Sequence, residues 1–269
     1  MDMPLESTDG RGGERGVGQY SDREIMAISA GRLIKNDEVI FAGTGLSMLA
    51  ATVAKRIYAP NAVVFFETGG IDPSLDELPM AVADPRVMHG GCMNSGLIDA
   101  FTILGHVRVK SIAFLGAAQI DRFGNINSTC IGAYHQPKAR FPGSGGACDA
   151  ASLGASVIIF MQHERRRFVE RLDYLTSPGW VRGGGSREEE GLPRGGPTAV
   201  VTNLGIMRFS EDIKTMYLAE YYPGVTVEDI VENTGFEIDT ATATESIAPS
   251  DEELRVLREE IDPQRLILG

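Results

Sequence analysis

A glutamate placed directly after a strongly apolar segment is the residue of this chain best suited to chemistry. Residues 62–66 are apolar and rich in β-branched and aromatic types, which predicts a strand buried on both faces. Glu67 follows without a spacer, and Thr68-Gly69-Gly70 leave the backbone free to turn and to approach a ligand. Ligands of open α/β sheets gather beyond the carboxyl ends of strands, so Glu67 is a candidate catalytic carboxylate. The alternative is that Glu67 only ends the strand and faces water.

A second candidate is the turn Gly43-Thr44-Gly45. It joins a predicted strand at 38–42 to a predicted helix at 47–58. Such a turn places backbone N–H groups at a helix N-terminus, where an anion or an oxyanion binds. The turn lacks the third glycine of the dinucleotide fingerprint and the Lys-Ser/Thr of the P-loop, so the sequence supports neither an NAD site nor an NTP site. The alternative is a tight turn that binds nothing.

A third candidate follows the apolar strand predicted at 111–115. The small residues Gly116, Ala117 and Ala118 leave the backbone unobstructed at a strand's carboxyl end, where N–H groups can point at a developing negative oxygen. Close packing of a helix on the sheet would also require small residues here, and the sequence alone does not separate these alternatives.

The elements that position these residues alternate between strands and helices. Ser21-Asp22-Arg23-Glu24 has the pattern of a capping box and predicts a helix to about Lys35. Asn203-Leu204-Gly205 is typical of a turn between two paired strands. Further segments follow from their apolar patterns: helices at 95–105, 226–233 and 251–260, and a buried strand at 156–161. The sequence therefore predicts an α/β protein with an open, mostly parallel sheet flanked by helices.

Two segments read as loops. Residues 71–93 contain three prolines and several glycines, which predicts a segment that wanders over the surface near the sheet's edge. Residues 183–196 contain three successive glycines and an acidic triplet, which predicts a mobile excursion. His89 and Cys92 lie three residues apart, but no second pair has metal-ligand spacing, so we predict no metal site. His163 stands in a charged run, and we predict a structural role for it.

Composition limits the function classes. The chain has 269 residues, of which 43% are hydrophobic, enough for a sizeable core. Its net charge of −12 repels nucleic acids and anionic membranes. No apolar run reaches the roughly 20 residues that span a bilayer, and no signal peptide is evident, so we expect a cytoplasmic protein. The three cysteines include no CxxC pair, which favours reduced thiols. We expect a flexible tail at 1–18 and a single domain at 19–269.

Eight segments in one order resemble the B-type (beta) subunits of the class I CoA-transferases, and those of glutaconate CoA-transferase in particular. The likeness runs from about Ser21 to Pro263. The segments that carry it are GTGL (43–46), AKRIYAPN (54–61), Glu67 with the small residues after it, GAAQIDRFGNINST (116–129), PKARFPGSGG (137–146), MQHERRRF (161–168), LDYLTSPGW (172–180) and ENTGF (232–236).

The resemblance implies a CoA-transferase fold and an active site at the junction with an A-type (alpha) partner, in a heterotetramer or larger assembly. It implies that Glu67 is the nucleophile and that the N–H groups of Gly116 and Ala117 stabilise the oxyanion. It also places Gly43 and Gly45 near the acyl-CoA pocket. We assign Gly69, Gly70 and Gln119 to the same ligand-binding region. Coenzyme A and acyl-CoA are then substrates, and we expect no permanently bound cofactor.

The substrate does not follow from the resemblance. The stretch between Gly91 and Lys110 is shorter than in the glutaconate enzymes, so glutaconate is not carried over as the acyl group. One alternative is a hydrolase or decarboxylase of CoA thioesters on the same fold, although similar proteins with those activities lack the glutamate. The other alternative is a non-catalytic ligand-binding protein, which has no need of Glu67.

Overall fold

The computed structural model describes residues 20–192 and 194–269, so the tail predicted at 1–18 lies outside the described residues. The described chain forms two compact units. The first contains the residues up to Phe114 together with Ala248–Gly269, and the second contains Leu115–Ile247.

The strands are numbered in chain order. They are β1 Val39–Phe41, β2 Val63–Phe65, β3 Gly70–Ile71, β4 Met93–Asn94, β5 Ser111–Gly116, β6 Gln119–Ile120, β7 Ile126–Asn127, β8 Cys130–Ala133, β9 Gln136–Arg140, β10 Ser156–Phe160, β11 Pro197–Val201, β12 Gly205–Phe209, β13 Met216–Tyr221 and β14 Thr244–Glu245.

The α-helices are α1 Asp22–Arg32, α2 Leu46–Val53, α3 Leu97–Gly105, α4 Ala147–Leu153, α5 Ser186–Glu189, α6 Val227–Glu232 and α7 Asp251–Arg255. Two of them run on as π-helices, α2 through Ala54–Tyr58 and α7 through Val256–Ile261. A short 3₁₀ helix covers Pro85–Met88.

The first unit contains strands in the order β5-β1-β2-β3-β4. β1 pairs in parallel with both β2 and β5, whereas β3 and β4 run antiparallel beyond β2. β5 begins in this unit, and its last residues belong to the second. Since β1 and β2 are parallel, their carboxyl ends lie at the same edge of the sheet.

Helix α1 begins where the sequence predicted. The Ser21 N–H donates to Glu24 Oε2 at 2.7 Å and the Glu24 N–H donates to Ser21 Oγ at 3.4 Å, which confirms the capping box. The helix crosses α2 closely at Gly31, where a Cβ would lie 2.8 Å from Val53 Cγ1. Helix α1 is buried along most of its length, from Glu24 to Gly31.

Glu253 ties the C-terminal segment to the rest of the first unit. Arg32 donates to both carboxylate oxygens of Glu253, at 2.9 and 2.7 Å, and the hydroxyl of Tyr58 donates to the same group. Burial alone would raise the pKa of Glu253, but these hydrogen bonds and one from the Ser250 N–H lower the pKa to about 2.

The second unit contains strands in the order β14-β13-β12-β11-β10, with two separate hairpins, β6–β7 and β8–β9. β10 and β11 are parallel, and β11 and β12 form the antiparallel pair predicted around Asn203-Leu204-Gly205. The predicted α/β class with an open, mostly parallel sheet and flanking helices is confirmed. Within residues 20–192 and 194–269, the structure contains no helix long and apolar enough to cross a membrane.

Both segments predicted as loops carry structure. The 71–93 stretch includes the 3₁₀ helix and parts of β3 and β4. The sequence did not predict these strands, because strands of two residues leave no periodic pattern. We predicted a mobile loop at 183–196, but the structure shows that Arg187 fixes this segment to the protein. Arg187 is only 3% exposed. Its guanidinium donates to the carbonyls of Ala151 at 2.7 Å and Gly179 at 2.8 Å. Burial lowers the pKa of Arg187, and the carbonyl acceptors offset the cost of burying this cation.

The structural role predicted for His163 is confirmed. Its ring stacks on Phe168, with the centroids 3.9 Å apart and the planes 4° apart. The two ring nitrogens lie 3.3 Å from Thr202 Oγ1 and 3.0 Å from Thr234 Oγ1. The side chain is buried, and burial lowers its pKa to about 3. His163 is therefore neutral in the folded protein at neutral pH.

This burial predicts a loss of stability in acid. Between about pH 3 and 6.5 the unfolded chain binds a proton at His163 and the folded chain does not, so the free energy of unfolding falls as the pH falls through this window. We expect His163 to account for roughly 1–3 kcal/mol of the fall between pH 6.5 and 4.5. Urea unfolding of wild type and His163→Gln at both pH values measures it. Equal pH dependence in the two proteins would contradict the prediction.

Candidate active site

Glu67 lies at the tip of a tight hairpin rather than at a free strand end. The Phe66 N–H donates to the Gly70 carbonyl at 3.0 Å and the Gly69 N–H donates to the Phe66 carbonyl at 2.9 Å. Glu67 and Thr68 are thus the two central residues of the turn between β2 and β3. The backbone hydrogen bonds fix the turn and leave its side chains available.

Glu67 is half-buried, and its carboxylate has no partner within the described part of the chain. No hydrogen bond or ion pair joins it to any residue of 20–192 or 194–269. The neighbouring hydroxyl oxygen of Thr68 is buried and also lacks a partner among these residues. Polar groups in such positions are normally hydrogen-bonded, and an unpaired one requires an explanation. Within the described chain, the hairpin therefore presents an unpaired carboxylate beside an unpaired hydroxyl.

Close contacts with the backbone of later residues require glycine at positions 69 and 70. Gly69 has φ +99°, and a Cβ on it would lie 2.2 Å from the Ser95 carbonyl oxygen. A Cβ on Gly70 would lie 2.0 Å from the Val87 carbonyl oxygen. Ser95 also donates to the Gly69 carbonyl from its N–H at 2.9 Å and from its hydroxyl at 3.2 Å. These glycines let the hairpin pack against following backbone; their ligand contacts stay predictions.

Gly43 and Gly45 lie beside the hairpin in the first unit. Phe41 of β1 pairs with Phe65 of β2, and the Ala42 N–H donates to the Phe65 carbonyl at 3.1 Å. Gly43 and Glu67 therefore each follow the last paired residue of neighbouring parallel strands by two positions.

The two glycines of this turn differ in what requires them. Gly45 precedes α2 at φ +74° and ψ −140°, a conformation that other residues rarely adopt. Gly43 has no positive φ, and a Cβ on it would meet no atom within 4 Å. Nothing within the described chain requires a glycine at 43, so the space beside it is open to a ligand.

Gly116 and Ala117 lie at the end of β5, in the second unit. Gly116 is exposed, and a Cβ on it would meet only the Phe160 carbonyl oxygen, at 4.0 Å. The packing explanation for a small residue is therefore wrong at Gly116. Ala117 is buried, as is Ala118, whose N–H donates to the Asn127 carbonyl at 2.9 Å.

Gln119, in the same segment, is engaged by the protein itself. Its amide oxygen accepts from Asn127 Nδ2 at 2.8 Å and from the Asp173 N–H at 3.1 Å. Its amide nitrogen donates to Asp173 Oδ2 at 3.0 Å. The side chain braces the β6–β7 hairpin against residue 173, and its predicted ligand contact stays a prediction.

The candidate metal pair gains no further ligands in the structure. Within 20–192 and 194–269, no group of three or more His, Cys, Asp or Glu side chains is arranged to hold a metal ion. His89 and Cys92 lie on the exposed segment before β4.

Comparison with known proteins shows which proteins this chain resembles. The sequence matches the coenzyme A transferase family over residues 23–233. It is 48% identical over 249 residues to the B chain of the glutaconate CoA-transferase of Acidaminococcus fermentans, covering 91% of this chain and 93% of that one. It is 39% identical over 242 residues to the B chain of the 3-oxoadipate CoA-transferase of Pseudomonas knackmussii, covering 89% and 92%.

A solved structure extends the likeness to the fold. The crystal structure of glutaconate CoA-transferase from Acidaminococcus fermentans matches this chain with a TM-score of 0.89 and 46% sequence identity. The match covers 93% of this chain and 98% of that chain.

Substitution by alanine should have opposite effects on stability at a glycine that faces open space and at a glycine packed against backbone. Gly43→Ala has room for its methyl group and reduces the entropy of the unfolded chain, so we expect a free energy of unfolding unchanged or raised by about 0.5 kcal/mol. Gly70→Ala forces a methyl group against the Val87 carbonyl, so we expect a loss of about 1–3 kcal/mol or more. Gly185→Ala, also in open space, is the control. Denaturant unfolding ranks the three, and equal losses at 43 and 70 would contradict the distinction.

Proposed function

The chain belongs to the coenzyme A transferase family, and we propose that it works as the B-type component of a heteromeric enzyme that moves CoA from an acyl-CoA to a free carboxylic acid through a thioester on Glu67. The carboxylate of the half-buried Glu67 at the hairpin tip, unpaired among the residues that the structure describes, is the observation that carries this proposal. The names of two relatives contain glutaconate and 3-oxoadipate, which are both dicarboxylic acids. We therefore propose dicarboxylic acids as the substrate class.

The proposed reaction needs a nucleophile that later becomes a leaving group. The Glu67 carboxylate attacks the thioester carbonyl, and the C–S bond breaks to give an acyl-glutamyl anhydride and CoA thiolate. The thiolate then attacks the glutamyl carbonyl of the anhydride, forms the glutamyl-CoA thioester and releases the first acid as its carboxylate. A second carboxylate reverses these steps and leaves as the new acyl-CoA, so that Glu67 is regenerated.

Each step passes through a tetrahedral intermediate that carries an oxyanion. We assign its stabilisation to the N–H groups of Gly116 and Ala117, as the family resemblance implies. Donors of this kind contribute about 3–4 kcal/mol to transition-state stabilisation. The open space at Gly116 supports the assignment, because a thioester oxygen needs access to the backbone there.

The open space beside Gly43 supports a place for the acyl-CoA at the carboxyl end of β1. A methyl group at this position would fill part of that space while leaving the fold intact. Gly45 has a different role in the turn between β1 and α2, because its backbone conformation allows α2 to start there.

The chain requires a partner under this proposal. Both relatives are the B-type components of their enzymes, which implies an A-type component in each. We propose that this chain is inactive alone and active in a heterotetramer or larger assembly with an A-type partner.

Replacing Glu67 should abolish transfer in the assembled complex. We expect Glu67→Ala to lose on the order of 1,000-fold or more, as for other covalent nucleophiles. Glu67→Asp should lose about 100-fold, since the shorter side chain misplaces the carboxylate by about 1 Å. The measurement is formation of the acceptor's CoA thioester and of free CoA thiol, which separates transfer from hydrolysis.

The exposed Glu259 provides the control variant, Glu259→Ala. Its rate should match wild type, and complex assembly should be unchanged in every variant. Transfer by Glu67→Ala within about tenfold of wild type would rule out the assigned nucleophile.

Substitution of Gly116 should separate chemistry from stability. Gly116→Val has space for its first atom, so we expect little change in the complex's melting temperature. Its branched side chain would hold the acyl oxygen away from the N–H donors, so we expect the single-turnover rate to fall by about 100-fold. Gly185→Val, equally open, is the control and should not slow the reaction. An unchanged rate per folded Gly116→Val complex would remove Gly116 from the site.

A further inference from the structure

The hairpin that carries Glu67 is held at its base by an ion pair. Lys55 Nζ donates to Asp72 Oδ1 at 2.5 Å, and both side chains are 29% exposed. Asp72 follows β3, and its N–H donates to the Val64 carbonyl at 2.6 Å. From this base, the Phe65–Ile71 pair and the hydrogen bond from Phe66 to Gly70 lead directly to the turn.

Asp72 adopts an unusual backbone conformation. Its φ is +51°, in the left-handed region that residues other than glycine rarely adopt. Strained backbone persists only where surrounding contacts hold it, and such residues cluster at functional sites. The contacts here are the ion pair with Lys55 and the hydrogen bond to Val64.

Lys55 reaches Asp72 from an irregular helix. The π-helix Ala54–Tyr58 continues α2, and the Ala59 N–H donates to the Ala54 carbonyl at 2.7 Å. Short π-helical turns frequently occur at functional sites because they redirect side chains. Lys55 Nζ also donates to the Ala62 carbonyl at 3.0 Å, just before β2. One ammonium group therefore joins the start of β2 to the residue after β3.

The same π-helix is anchored on its other side. The hydroxyl of Tyr58 donates to Glu253, which is held by Arg32. The segment that presents Lys55 is thus fixed to helices α1 and α7. This makes it a firm support for the hairpin, whose tip makes few contacts through its own side chains.

We propose that Lys55 and Asp72 are a positioning pair that fixes the β2–β3 hairpin and thereby the direction in which the Glu67 carboxylate points. Neither residue needs to touch the substrate. The inference rests on the proposed role of Glu67 and assigns a function to the AKRIYAPN segment. Because a displacement of about 1 Å at a reacting group costs about 100-fold in rate, loss of the pair should be visible in catalysis.

The test uses the full chain assembled with its A-type partner. The probes are the CoA thioesters of glutaconate and 3-oxoadipate with the free acids, using the combination that wild type transfers fastest. We would compare Lys55→Met, Asp72→Asn and the double variant for kcat, for KM of the acyl-CoA and for melting temperature. Asn tolerates the left-handed conformation, so Asp72→Asn removes the charge and keeps the backbone.

We expect kcat per assembled complex to fall by about tenfold or more in each single variant, with KM within about threefold of wild type. The double variant should be no slower than the slower single variant, within about threefold, because both substitutions remove one interaction. Arg56→Met removes an exposed cation from the same π-helix, and Lys110→Met breaks an exposed ion pair with Asp37; both should behave as wild type.

A kcat within about threefold of wild type in either single variant would overturn the proposal, as would a double variant whose loss is the product of the two single losses. An equal loss in Lys110→Met would also overturn it, since any ion pair would then have the same effect. Glu67→Ala in the same series keeps the two proposals apart. If that variant transfers CoA, the assignment of Glu67 fails whatever the Lys55 variants show.

Discussion

The tight hairpin between β2 and β3 is the constraint on which the proposed chemistry depends. Two backbone hydrogen bonds close it around Glu67 and Thr68, and Ser95 fixes it through the Gly69 carbonyl. The backbone of the turn is bonded to other backbone and to Ser95, and the Glu67 carboxylate has no partner among residues 20–192 and 194–269. Under the proposed function, the fixed turn places the backbone of the nucleophile before substrate arrives, which lowers the entropy cost of the attack.

The glycines assigned to the proposed site divide according to what requires a glycine at each position. Gly69 and Gly70 are required by the close approach of other backbone, and Gly45 by its own conformation. Gly43 and Gly116 face open space, so no contact within the described chain explains them. The family resemblance implies ligand-binding roles for Gly43, Gly45 and Gly116 without showing this difference. Only the structure separates glycines that a close approach of backbone requires from glycines that face open space.

Local signals explain which features the sequence predicted. The capping box at Ser21, the turn after β11 and the strand before Glu67 depend on neighbouring residues, and each appeared as expected. The short strand β3 was not predicted, since two residues carry no periodic pattern and its partner in β4 lies more than 20 residues away. The burial of Arg187 was also missed, because its acceptors are carbonyl groups of distant segments, which leave no trace in composition. The choice between packing and access at Gly116 needed the position of Phe160.

A covalent label on Glu67 would test the central claim most directly. The assembled complex is incubated with acyl-CoA, treated with borohydride, digested and analysed by peptide mass spectrometry. Reduction of a glutamyl thioester releases CoA and converts the side-chain carboxyl group to an alcohol, with loss of one oxygen and gain of two hydrogens. The account predicts this change on the peptide containing Glu67, at that residue, and only after incubation with acyl-CoA. No change in the inactivated complex, or the same change at a different carboxylate, would contradict it.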